Sequence, residues 1–145
     1  MSSPTSRSLA VLRERGCPLV QVVERWNPHA RVRQDLFGII DVLAIANDGE
    51  IIAVQATSDS NVSKRNHKIQ DSDAIAHLRV AHICIMVHGW KKDRRGHWKL
   101  REVDVSWPTA AASTVLTLAA RYFGPSLTPS YSAITSDRLN PGPPG

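Results

Sequence analysis

Residues 33–58 read RQDLFGIIDVLAIANDGEIIAVQATS. Two apolar runs, 37–45 and 51–56, are separated by the turn-forming residues Asn47-Asp48-Gly49-Glu50. Both runs are rich in β-branched residues, which predicts two paired strands of a buried hairpin. Two polar residues interrupt them, Asp41 and Gln55. A carboxylate among Ile39, Ile40, Val42 and Leu43 is costly to bury unless it is paired or holds a cation. Two such interruptions on neighbouring strands mark a candidate site. The alternative reading of Asp41 is a strand-end carboxylate exposed at the sheet edge. For Gln55 it is a hydrogen-bonded buried amide.

Outward from this hairpin the chain alternates helix and strand signals. Residues 6–15 carry Leu9 and Leu12 on one helical face and are followed by Gly16, which predicts a short amphipathic helix. Residues 19–23 predict a first strand, ending at Glu24-Arg25-Trp26 and a turn at Asn27-Pro28-His29. The capping residues Ser58-Asp59-Ser60-Asn61 open a helical stretch over 62–81, divided by Asp71-Ser72-Asp73. Residues 83–87 predict a strand ending in His88-Gly89-Trp90, with Trp90 over the sheet edge. A polar turn follows at 91–96. Residues 98–107 return as a strand that buries Trp98 and Leu100, and a parity change before Val103 and Val105 predicts a bulge. Residues 110–123 predict an Ala- and Leu-rich helix introduced by Pro108. Residues 124–145, rich in Pro, Ser and Gly, are expected to form a disordered tail. The order is α-β-β-β-α-β-β-α. It predicts an α/β domain over 1–123, with a mixed central sheet flanked by helices.

Asp41, a turn, and then a strand ending Gln55-Ala56-Thr57 resembles the PD-(D/E)xK nuclease superfamily, especially its small Holliday-junction-resolvase-like and phage-type members. The resemblance runs from about Leu9 to Val105 and implies a restriction-endonuclease-like core. It places Asp41 at the first acidic position, Gln55 at the second and Thr57 at the lysine position. The last two depart from the family pattern. The resemblance implies a metal-dependent DNA endonuclease using Mg²⁺ or Mn²⁺. In that reading Asp41, Gln55 and the Ala56 carbonyl are ligands. Such a cation lowers the pKa of bound water and stabilises charge on the leaving oxygen.

One carboxylate and one amide are thin support for a divalent ion. Glu24 or Asp35 is therefore expected to join Asp41. Glu24 closes the first strand, and Asp35 stands six residues before Asp41, on the same face if the strand starts that early. Glu14, the carboxylate of the first helix, lies among surface charges. Glu24 and Asp35 could equally be halves of ion pairs with Arg25, Arg31 or Arg33. The missing lysine could come from the next helix through Lys64, Arg65 or Lys68. Lys64 and Lys68 share a helical face if that segment is continuous. The alternative is a phosphate-attracting surface without catalysis.

The formal net charge of +5 suits a polyanionic partner. Lys64, Arg65 and Lys68 form one basic cluster, and Lys91, Lys92, Arg94 and Arg95 form another. Both are candidate DNA contacts, and each alone reads equally well as a solvated face. The composition, 42% apolar and 21% charged, is that of an ordinary globular domain, and no apolar run reaches membrane-span length. No secretory signal is evident, and Cys17 and Cys84 read as buried free thiols. Together these place the protein in the cytoplasm, a reducing compartment. Junction resolvases act as two-fold dimers, and the 110–123 helix could serve such an interface or simply cover the core. An inactive nucleic-acid-binding module on the same fold is the main rival reading. It is favoured by Gln55 and Thr57.

Overall fold

A computed structural model describes residues 2–108 of the chain. The 110–123 helix and the 124–145 tail lie outside the described residues. Helix α1 (Pro4–Glu14) starts two residues earlier than expected, because Ser3 caps it by accepting from the Ser6 N–H at 3.1 Å. Strand β1 (Leu19–Val22) follows, then a small hairpin of β2 (Arg25–Asn27) and β3 (Val32–Gln34). Next come β4 (Val42–Ile45), β5 (Ile51–Ser58), helices α2 (Val62–Gln70) and α3 (Ala74–Val80), and strands β6 (Cys84–Lys92) and β7 (Trp98–Asp104).

The five long strands form one mixed sheet in the order β1-β4-β5-β6-β7. β4 lies between β1 and β5 and is antiparallel to both. β5 and β6 are parallel, and β7 returns antiparallel to β6. A parallel pair needs a crossover, and α2 and α3 provide it. Side-chain alternation sorts the sheet into two faces. Val42, Ala44 and Val54 pack with Leu12 of α1. Ala53, Ile85 and Val87 pack with Val62 and Ile69 of α2 and Ile75 and Leu78 of α3. The described residues therefore form an α/β unit in three layers: α1, the sheet, and the α2–α3 pair.

Several expectations are corrected. The 37–45 run is a strand only from Val42. Leu36 and Ile40 form an isolated antiparallel bridge that closes a tight turn, with Phe37 at φ +55° and Gly38 at φ +77°. Glu24-Arg25-Trp26 does not end the first strand, since Arg25 and Trp26 open the separate β2–β3 hairpin. Residues 98–107 contain no bulge: the β6–β7 register is unbroken from Met86↔Asp104 to Lys92↔Trp98. Trp98 is exposed there rather than buried, with the Arg7 guanidinium 3.3 Å from its ring centroid. Finally, Trp90 lies on a central strand and is buried. Of the two cysteines, Cys84 is buried and Cys17 only half-buried.

Candidate metal centre

The Leu36–Ile40 bridge has a direct consequence for the acidic residues. The next positions outward on its two arms are Asp35 and Asp41, so the turn sets them opposite each other. The six-residue spacing thus brings the two together, through a turn rather than along one strand. Asp41 is held between strands: the Val23 N–H donates to its carbonyl at 2.8 Å, and its own N–H donates to the Val54 carbonyl at 2.9 Å. Glu24, next after Val23, is brought alongside. Oxygen atoms of Glu24, Asp35 and Asp41 lie within 4.8 Å of one another, a spacing that suits one shared cation.

The three carboxylates are not equivalent. Glu24 accepts from Arg33 Nη1 at 2.6 Å, and Asp35 from Lys68 Nζ at 3.2 Å. Among the described residues no lysine or arginine pairs with Asp41. Its Oδ2 accepts from the Gln55 side-chain amide at 2.5 Å and from the Ala56 N–H at 2.9 Å. With only 4% of its surface exposed, Asp41 has its carboxyl pushed up to about 7. Burial is the main cause, and the neighbouring Asp35 adds to it against the lowering effect of the Ala56 and Gln55 bonds.

Gln55 is 2% exposed, and its Oε1 is buried with no hydrogen-bond partner among the described residues. Such an atom costs about 1–3 kcal/mol unless something satisfies it. A hard cation or its water takes oxygen ligands of this kind. The three carboxylates, with ligand atoms within 4.8 Å of one another, could hold such a cation. The Ala56 N–H already serves Asp41, while Thr57 is buried at the position opposite Gly89.

The basic residues divide. Lys68 reaches the cluster through Asp35. Lys64 is exposed and Arg65 half-buried on the same helix. Lys91 pairs with Asp59 at 3.6 Å, and the Lys92 ammonium lies 5.2 Å from the Trp98 ring centroid. Both extend from the end of β6, which runs parallel to β5. A cavity of about 300 Å³ adjoins the cluster, lined by Val22, Glu24, Trp26 and Arg33.

A second buried polar network, unanticipated from the sequence, occupies the opposite, α1-facing side of the sheet. His88 places Nδ1 3.1 Å from Ser8 Oγ and Nε2 3.2 Å from Glu102. Ser8 also accepts from Trp90 Nε1 at 3.0 Å, and Arg15 grips Glu102 at 2.6 and 3.0 Å. Serine, histidine and glutamate here follow the order of a nucleophilic triad. Ser8, however, has no exposed surface, so no substrate reaches it. The network locks α1 to β6 and β7. Burial drives the His88 imidazolium down to about 4 against the pull of Glu102, so the ring is neutral near pH 7.

No protein-family model, curated protein or solved structure matches the chain. The site is therefore read from its own geometry. Among the described residues no helix is long and apolar enough to cross a membrane.

Proposed function

We propose that the protein is a metal-dependent DNA endonuclease of the PD-(D/E)xK type, with Glu24, Asp35 and Asp41 as its cation ligands. The observation that carries this reading is the convergence of those three carboxylates, with Lys68 bonded to one of them. A mixed sheet with helices on both faces supports it too, although the β2–β3 hairpin interrupts the run of three strands that the resemblance implies. When bound, a divalent cation would supply an acidified water and neutralise charge on the leaving oxygen.

The chain's own groups have distinct parts. Asp41 is fixed by the Gln55 and Ala56 bonds and is the carboxylate least compensated by protein cations. Arg33 and Lys68 neutralise the other two, leaving a local excess of one negative charge that favours a divalent ion over repulsion. Lys68 brings the positive charge that Thr57 does not. It comes from α2 rather than from the strand, and from there it can hold a phosphate oxygen or orient water.

The rival is a nucleic-acid-binding module without catalysis, favoured by the amide of Gln55 and the hydroxyl of Thr57 at positions where the family has charge. A cleavage assay separates the two. The purified protein is incubated with Mg²⁺ or Mn²⁺ and with single-stranded, duplex, flap and four-way-junction DNA. Cleavage that chelation abolishes and that Asp41→Asn lacks supports the nuclease. Binding without cleavage of any substrate supports the module. Neither binding nor cleavage refutes both.

A further inference from the structure

The β2–β3 hairpin stands apart from the main sheet and is built unlike the rest of the domain. Its segment, Arg25-Trp26-Asn27-Pro28-His29-Ala30-Arg31-Val32-Arg33-Gln34, contains three arginines and no acidic residue. Every residue in it except Asn27 is exposed. Trp26 is 60% exposed, an unusual state for the largest side chain. An isolated two-stranded hairpin gains little stability from its own contacts. Such composition and exposure suit contact with a polyanion better than self-packing.

The register says where that contact falls. Trp26 is directly opposite Arg33, so the two side chains share a face. Both line the cavity of about 300 Å³ with Val22 and Glu24. Glu24 is at once a wall of the cavity and a member of the carboxylate cluster. The cavity lies at the small end of the range for ligand pockets. Phe37, also exposed, sits on the turn joining Asp35 to Asp41. Trp26 and Phe37 thus each stand two residues after a carboxylate of the cluster, Glu24 and Asp35.

We infer that Trp26 and Arg33 receive an unpaired nucleobase and its phosphate beside the cation site, so that the substrate class is DNA with a single-stranded stretch. This rests on the nuclease reading and narrows it. An aromatic face stacks on any base, but a base inside a duplex is already stacked and paired. Continuous duplex therefore cannot use Trp26 without first being opened. A flap, a junction arm or a free single strand can.

The test compares Trp26→Ala, Trp26→Phe and the parent chain by fluorescence anisotropy in EDTA, which prevents cleavage. The probes are a labelled flap duplex and a blunt duplex of equal length. Trp26→Ala is expected to weaken flap binding on the order of tenfold and to change blunt-duplex binding by less than about twofold. Trp26→Phe is expected to restore most of the loss, since a phenyl ring also stacks. Because Trp26 is exposed, both variants should melt with the parent. Unchanged flap affinity in Trp26→Ala, or an equal loss on both probes, overturns the inference and leaves the hairpin as a contact for a protein. If the parent binds neither probe and cleaves no DNA with Mg²⁺ or Mn²⁺, the nuclease reading fails with it. If the parent binds and cleaves while Trp26→Ala shows no selective loss, only this inference fails.

Discussion

Replacing Asp41 by asparagine isolates the electrostatic cost of the carboxylate cluster. The substitution keeps a side-chain oxygen to accept from Gln55 and Ala56, and offers an amide N–H₂ toward the remaining carboxylates. The Asp41 carboxyl is raised from 3.8 to about 7 in the fold. A raised carboxylate favours the folded state while protonated and opposes it once ionised. Wild-type stability should therefore fall, through this group, as pH rises from about 4 to about 7. Three units correspond to about 4 kcal/mol at most, and relaxation around a coupled pair reduces this to roughly 2–4 kcal/mol. Without added metal, Asp41→Asn should be more stable than the parent by that amount at pH 8, and equal to it near pH 4. In melting temperature the gain is on the order of 10 °C. Thermal melts of both proteins across this pH range, in chelator, give the difference directly. No gain at pH 8, or a gain that grows toward pH 4, would refute the assignment of Asp41 as a desolvated, uncompensated carboxylate.

Three further outcomes follow from the same geometry. His88 titrates in the opposite sense: its folded value of about 4 lies below the ordinary 6.5, so its contribution is complete above 6.5 and is lost as pH falls toward 4. Melts of Asp41→Asn with and without His88→Gln should show this loss, about 2–3 kcal/mol, in the first protein only. A Cβ added at Gly89 would overlap Val62 Cγ2 and lie 3.2 Å from Asp59 Cα, so Gly89→Ala should cost about 1–3 kcal/mol in denaturant unfolding. Lys68→Ala should lower turnover on cleavable DNA more than it lowers affinity, while Lys64→Ala should change affinity alone, as single-turnover kinetics would show.

The layered α/β class was legible because the apolar runs have the right lengths and the right separators. The 47–50 turn forms as expected, with the Gly49 N–H donating to Ala46 at 3.0 Å and Gly49 at φ +86°. The break at 71–73 likewise divides α2 from α3. The 37–40 run misled because four apolar residues look like strand whether they pair along an edge or fold into a turn. Here Gly38 and the positive φ of Phe37 chose the turn. Glu24 and Asp35 both come near Asp41, since the turn and the end of β1 meet at the same strand terminus. The anticipated pairing with Arg33 holds as well, for Glu24, without removing that residue from the cluster. Ser8, His88 and Glu102 were illegible as a set. They stand 80 and 14 residues apart in sequence, and only the packing of α1 across β6 and β7 joins them.

The central claim is that Glu24, Asp35 and Asp41 hold one divalent cation. Titration of the purified protein with Mn²⁺, following the free-ion signal by electron paramagnetic resonance, tests it most directly. The parent chain should remove a single equivalent of Mn²⁺ from solution, more tightly at pH 8 than at pH 5 because the ion displaces a proton from Asp41, and Asp41→Asn should remove none at that site. Equal uptake by parent and variant, or no uptake by the parent up to about 1 mM Mn²⁺, would contradict the account.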